Sequence, residues 1–435
     1  MIRRFRTVIF ASLIVGCVTV ASAAPSSASR NVVPHAQSGA DGPVRLRLPA
    51  PTGPYPVGTV DLHLIDRSRT DLWMATPAHR ELMVSLWYPA GDVGRFPLAP
   101  HMTPGAAAHF GSAAGAGASL YGIPAGAVDF AATRTSGHRG APVTRHKRPF
   151  PVVLYSPGAG DPRTWGTTLV QDLASRGYVV VTLDHTYDAS EVEFPDGRVV
   201  DTVLPELFGQ AQRPEEFQIL AARVFGTRIA DTRFVLDQLA ALNGGTNPDA
   251  EGRPLPEGVV GALDLHRTGM FGVSAGGLSA LQAMSEDSRI RAAIDMGGSI
   301  ESPVIADPIQ LWPVARRGLD RPFMFVGDPG TDHRQTPSWR MLWDNSSGWH
   351  VDLRLDGAKS EDSYKDTVPL LPQIARQLGL PDSFVTEAIG SIQSTRAVRT
   401  EEALVAAFFD RWLRGRDGHV LDGPSPRLRD VTFVP

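Results

Sequence analysis

The sequence predicts an α/β fold, a mostly parallel central sheet with helices on both faces. Two observations carry that reading. From residue 150 onward, apolar runs of strand length alternate with stretches of helical period. Runs such as FPVVLYS (150–156) are apolar almost throughout rather than at every second position, as in strands covered on both sides.

The elements follow in order. VGTVDLHLID (57–66) and ELMVSLWYPA (81–90) alternate with period two and read as antiparallel strands ahead of the parallel set. Residues 95–148 are rich in Ala, Gly, Pro and His without a clear period, and read as an insertion that caps or rims a pocket. A strand at 150–156, a helix at 167–177 and a strand at 178–185 come next. A long helix at 215–242 carries Leu220, Val224, Ile229, Val235 and Leu239 at helical spacing. A strand at 269–274, a helix at 275–284 and strands at 290–298, 322–328 and 350–357 complete the alternation. EALVAAFFDRWLRG (402–415) is an amphipathic terminal helix. With no internal repeat, residues 43–435 read as one domain.

The termini and composition narrow the function classes. The 435 residues, 42% hydrophobic and 20% charged, suffice for a large core, and a net charge of −4 without a basic tract gives no footing for nucleic acid. MIRRFR, then the apolar TVIFASLIVGCVTV, then Ala21-Ser22-Ala23 read as a signal peptide over 1–23, so a secreted protein is expected. Cleavage there removes Arg3, Arg4 and Arg6 and no acid, taking the charge from −4 to −7. Residues 24–42 are small and polar and read as a disordered mature N-terminus. Cys17 is the sole cysteine, so the folded part holds no disulfide. It follows Ile14-Val15-Gly16 in a stretch resembling a bacterial lipobox. Lipidation at Cys17 is the alternative to free secretion and the one route to membrane attachment expected. The composition says nothing of oligomeric state.

The chemistry centres on FGVSAGG (271–277). Gly272-Val273-Ser274-Ala275-Gly276 follows an apolar strand directly and opens a helix directly, the setting of a nucleophile elbow. The turn is sharp, the serine strained, and side chains at 272 and 276 would meet neighbouring backbone. Acyl transfer also needs an oxyanion hole. The N–H of Ala275 is one candidate donor, and that of Ala159, in the small-residue loop SPGAG (156–160), is the other. Asp295 ends the strand after the elbow, at the sheet edge where ligands bind, and is the candidate orienting acid.

YSPGAGDPRTWGTTLVQDLASRGYVVVTLDH, FGVSAGG, AAIDMGG and PTGPYPVGTVDLHLIDRSR resemble secreted actinobacterial members of the plasma-type platelet-activating-factor acetylhydrolase family, over most of residues 50–415. The resemblance implies an α/β-hydrolase fold and cofactor-free hydrolysis of short or oxidised acyl esters. It also implies Ser274 as nucleophile, Asp295 as acid, and Ala159 and Ala275 as oxyanion donors. The family elbow usually reads Gly-His-Ser-x-Gly-Gly, so Val273 departs from it. The family histidine lies in a stretch like Gly-Ala-x-His-x-Ser-Phe-Thr-Asp, where this chain has GAKSEDSYKD (357–366) and no histidine. Counting back from Ser363 puts Glu361 in its place, and counting forward from Gly357 puts Ser360 there.

Other bases are then in question. An ordinary carboxylate ionises near pH ~4, whereas a good base is poised near ~7. Burial of Glu361 or Asp362 near Asp295 would raise one of them. His333, in DPGTDHRQ (328–335), follows a strand at the same edge as Ser274. His185 ends another strand there, as a base or a substrate-lining group, whereas His350 starts its strand at the far edge. No metal spacing stands out, and loop polarity explains His333 with Asp328 and Asp332. Two functions remain: a serine ester hydrolase for small or short-acyl, phospholipid-like esters with a non-standard base, or a catalytically altered homologue. The altered form would bind a small molecule or run other acid/base chemistry in the same pocket.

Overall fold

The computed structural model describes residues 43–435 apart from 75–77, 146, 302–304 and 306. The signal peptide, Cys17 and the 24–42 segment lie outside the described residues. Among the described residues, eleven strands form one sheet and two form a small hairpin. In chain order they are β1 (Val57–Thr70), β2 (His79–Pro89), β3 (Leu98–Pro100), β4 (Arg134–Arg139), β5 (Phe150–Ser156), β6 (Val179–Asp184), β7 (Glu191–Glu193) and β8 (Val199–Asp201), then β9 (Leu263–Val273), β10 (Ile290–Met296), β11 (Phe323–Gly327), β12 (His350–Leu355) and β13 (Val431–Phe433). The large sheet runs β13-β12-β11-β10-β9-β5-β6-β2-β1-β4-β3, and β7 pairs with β8.

The six strands from β6 to β12 are parallel, and antiparallel pairs flank them on both sides. Period-two geometry divides each strand between two cores. Val153 and Tyr155 face one core with helices Thr167–Ser175, Thr367–Leu378 and Ser394–Arg414. Val152 and Leu154 face the other, with Pro214–Asn243, Ala275–Glu286 and Pro337–Asn345. Burial on both faces is why these strands read as continuous apolar runs. This is an α/β-hydrolase fold.

Three features were not visible in the periodicity. β9 starts at Leu263, upstream of the apolar run, because Leu263 and Asp264 pair with Phe150 and Pro151 before a register shift to Thr268. The 95–148 segment is more than a cap. Its β4 pairs in parallel with β1 and its β3 closes the edge of the sheet, while two short helices, Pro104–Phe110 and Ala116–Ser119, make the added helical part. The short β13 adds an antiparallel edge at the opposite end. Among the described residues, no helix is long and apolar enough to cross a membrane.

Candidate active site

β9 ends at Val273 and the next helix begins at Ala275, which leaves Ser274 alone in the corner. Its backbone sits at φ 54°, ψ −124°. A non-glycine residue in that region costs roughly 1–3 kcal/mol and persists only where its surroundings hold it. They do: Ser274 N–H donates to Met296 O at 2.9 Å, and Ser274 O accepts from Gly277 and Leu278 N–H at 2.9 and 3.1 Å. A Cβ on Gly276 would lie 1.9 Å from Ser156 O, and one on Gly272 would lie 2.3 Å from the Gly276 carbonyl carbon. Only glycine lets the elbow press onto the 156–160 loop.

That loop is held from beneath by groups the sequence did not single out. Arg228, buried on the Pro214–Asn243 helix, donates from Nη1 to Pro157 O at 2.7 Å and from Nη2 to Gly158 O at 3.0 Å. Its other face makes a bidentate pair with Asp188, with both contacts at 2.7 Å. Asp188 Oδ1 also accepts the Gly160 N–H at 3.1 Å. In a planar trans peptide the N–H points opposite the preceding C=O. Carbonyls 157 and 158 turned toward Arg228 therefore turn the N–H groups of Gly158 and Ala159 away from it. A Cβ built on Gly158 would lie 3.6 Å from Ser274 Cβ, so the loop meets the serine directly. The N–H groups of Ala159 and Ala275 make no hydrogen bond among the described residues.

His185 belongs to this under-structure. It is 1% exposed, with Nε2 at 3.0 Å from Ser156 Oγ and Nδ1 at 3.0 Å from Asp231 Oδ2. Burial lowers its pKa, against the opposing hydrogen bond to Asp231. Burial would raise Asp231, but Arg80 and His185 hold it well below the usual carboxylate range. Ser156, His185 and Asp231 have the order of a catalytic triad, yet Ser156 is fully buried, so they brace the loop.

Asp295 is the last residue but one of β10, next to the elbow, where a Cβ on Gly277 would fall 1.9 Å from Asp295 Oδ1. Oδ1 accepts the Gly298 N–H at 2.9 Å, while Oδ2 is buried without a hydrogen-bond partner. Burial raises the pKa of this carboxyl well above the ordinary range, and its hydrogen bonds only partly oppose that.

Glu361 opens a short 3-10 turn (Glu361–Tyr364), and its Cα lies 3.6 Å from where a Gly297 Cβ would be. One Glu361 oxygen is buried and unpartnered. Burial pushes Glu361 up to about 7, against the attraction of Lys365. Lys365 is buried with Nζ 2.8 Å from both Asp161 Oδ2 and Asp362 Oδ1. Burial would lower this lysine, but the two carboxylates outweigh it and raise it well above its usual value. Asp161 itself is raised by burial, which Lys365 only partly offsets. The structure thus gathers Glu361, Asp362, Lys365 and Asp161 at one end of the elbow. Asp161 and Lys365 escaped the sequence reading because nothing local pairs them.

His333 has other bonds. Its N–H and Nδ1 both reach Asp352 Oδ2 at 2.7 Å, and its ring stacks on Trp343 at 4.0 Å. Trp343 in turn meets His350, at the start of β12. Burial raises Asp352 to about 6 despite His333. Among the described residues, the one His/Asp group compact enough to share a cation is Asp417, His419 and Asp422. All three are exposed, and Arg411 already pairs with both aspartates.

Chemically, the corner offers a hydroxyl on a strained turn, two nearby N–H groups with no hydrogen bond among the described residues and a charged carboxylate–lysine group. Comparisons with known proteins agree with acyl chemistry. Residues 42–298 match the family model described as platelet-activating factor acetylhydrolase, isoform II. A probable 1-alkyl-2-acetylglycerophosphocholine esterase of Arthroderma benhamiae is 26% identical over 408 residues, 90% of this chain and 95% of that protein. A solved ferulic acid esterase from Streptomyces cinnamoneus is 33% identical with a TM-score of 0.67, covering 90% of this chain and 99% of that one.

Proposed function

The chain belongs to the platelet-activating factor acetylhydrolase, isoform II family, and from that premise we propose that it is an exported serine hydrolase of small or short-acyl, phospholipid-like esters. Membership of this family carries ester-hydrolysis chemistry. The finer reading is that Ser274 attacks the acyl carbon while the Ala159 and Ala275 N–H groups hold the oxyanion. One observation above all supports it: Ser274 stands at φ 54° against the SPGAG loop. A strained serine is retained where the strain positions it. Water then hydrolyses the acyl-serine through a second oxyanion.

In this reading the family histidine is replaced, and the proton of Ser274 leaves for a carboxylate. By the count back from Ser363 Glu361 stands in the histidine's place, and its carboxyl, ionising at about 7, sets the charge around the accepting carboxylate. Asp295 orients no imidazole in this reading; its carboxyl, raised by burial, accepts the Gly298 N–H and holds the turn. Export, by cleavage after Ala23 or by lipidation at Cys17, and the actinobacterial affinity of the motifs belong to the same proposal. Intact mass of the exported protein separates the two forms.

The test is fluorophosphonate labelling of the mature protein beside Ser274→Ala, with turnover of short-acyl esters. Labelling that vanishes in the variant supports the reading; no labelling of the wild type on long exposure ends it. The second reading, a catalytically altered homologue that binds a small molecule, draws on the unpartnered Asp295 Oδ2. It predicts ligand binding without labelling.

A further inference from the structure

Asp161 is the first residue after the small-residue loop, and its place is unusual for a buried acid. Its N–H bonds back to Gly158 O at 3.2 Å, which folds the side chain over Gly158. The point that a Cβ on Gly158 would occupy lies 2.5 Å from Asp161 Oδ2 and 3.6 Å from Ser274 Cβ. The missing side chain at 158 thus leaves one small space, faced by the carboxylate on one side and the serine on the other. The Ser274 hydroxyl is carried on the Cβ that faces this space.

The carboxylate is also oriented. Lys365 Nζ donates to Oδ2 at 2.8 Å and Tyr121 OH donates to Oδ1 at 3.2 Å. Tyr121 OH is itself fixed by Trp165 Nε1 at 2.9 Å. A base held by a third group beside the nucleophile is the logic of a triad, with lysine and tyrosine doing the orienting. Each carboxylate oxygen keeps a lone pair free, since an ionised oxygen accepts about two hydrogen bonds.

We infer that Asp161 is a catalytic residue, the carboxylate that takes the proton of Ser274, with Lys365 and Tyr121 as its positioning residues. This rests on the reading of Ser274 as nucleophile. In acylation the Oγ–H bond breaks and the proton passes to Asp161 Oδ2. The freed Oγ pair bonds the ester carbon, and the carbonyl π pair moves to its oxygen. On collapse the ester C–O bond breaks and Asp161 returns the proton to the leaving alkoxide. Water repeats the cycle in deacylation. Glu361 and Asp362, close by, make the region more negative and strengthen Asp161 as an acceptor.

The experiment uses the mature protein, a fluorophosphonate and p-nitrophenyl acetate over pH 5–9. Asp161→Asn should lower turnover and labelling by about 100-fold or more, the contribution of a general base, with little change in KM. Its residual rate should rise with hydroxide instead of reaching a plateau. Gly158→Ala tests the same space while leaving the acid itself unsubstituted. Residue 158 has an ordinary backbone, so the new methyl meets chiefly Asp161 Oδ2 and should slow labelling at least about tenfold. If Asp161→Asn does not fold, Gly158→Ala decides alone. Either variant, folded and labelled within about threefold of wild type, overturns the role of Asp161 while leaving Ser274 in place. A wild type that does not label ends the Ser274 reading, and this inference with it.

Discussion

Arg228→Lys tests whether the oxyanion loop is set by the protein beneath it. The native guanidinium spends two donors on Asp188 and two on the carbonyls of Pro157 and Gly158, at 2.7 to 3.0 Å. An ammonium keeps the charge opposite Asp188 but is a point donor that cannot span both partners. Losing two charge-assisted bonds to buried carbonyls, at about 1.5–3 kcal/mol each and partly recovered by the lysine, gives a net loss of about 2–4 kcal/mol. That is a large part of a typical 5–15 kcal/mol total, so the midpoint of urea unfolding should fall clearly. Freed carbonyls let the 158 and 159 peptide planes rotate, and a misdirected oxyanion donor costs about 10²–10³ in kcat. KM should move little, because the donors act on charge that develops in the transition state. The measurements are urea unfolding beside kcat and KM for a p-nitrophenyl ester. A variant that loses the stated stability yet keeps kcat within about threefold refutes the link between Arg228 and the oxyanion site.

The remaining predictions concern charge and space around the elbow. Glu361 ionises near 4.5 in the unfolded chain and at about 7 in the fold. Between those values the folded state keeps a proton that the unfolded state has lost, so this group makes stability fall as pH rises to about 7. Glu361→Gln should remove that slope and gain ~3 kcal/mol at pH 8 relative to pH 4, read by urea unfolding at both. Turnover by the wild type should rise with pH through about 7, and the inflection should be absent from Glu361→Gln; one that persists unchanged assigns the titration to another group. His333→Ala should cost about 1–3 kcal/mol by leaving buried Asp352 with only the backbone N–H of residue 333, yet label with fluorophosphonate at the wild-type rate. Labelling slowed tenfold or more would return His333 to the catalytic set. Gly276→Ala places a Cβ 1.9 Å from Ser156 O and should either block folding or abolish labelling; a folded, active variant would mean the loop can withdraw from the elbow.

The parallel strands and the elbow were legible because both are local. Strands buried on two faces show as unbroken apolar runs, and the strand–serine–helix corner lies within seven consecutive residues, FGVSAGG. The 95–148 segment was not, because β3 and β4 are short edge strands whose partner is β1, far upstream. Nor could periodicity reveal Arg228 or the Asp161–Lys365 pair. A buried charge is explained only by its partner, and these partners meet through the tertiary fold. For His185 and His333 the sequence shows the position but not the partner. Both sit on segments leading toward the catalytic edge, and the fold gives each ring an aspartate at Nδ1, Asp231 or Asp352, from a distant element.

Exchanging an imidazole for carboxylates changes more than one residue. An imidazole that takes a proton becomes a cation, and a nearby Asp295 carboxylate would stabilise it. A carboxylate that takes a proton becomes neutral, so it gains nothing from a second anion at Asp295. In keeping with that, Asp295 Oδ2 has no partner and its carboxyl is raised well above the usual range. What an anionic base needs instead is a fixed cation that keeps it ionised and aimed between turnovers. Lys365, bound to Asp161 and Asp362 and raised well above its usual value, is such a cation. The same attraction weakens the base it orients, so proton transfer depends on the acids around the lysine outnumbering it. Asp161, Asp362 and Glu361 face a single Lys365. Removing one of these negative charges should therefore slow the enzyme even where the residue removed never touches Ser274.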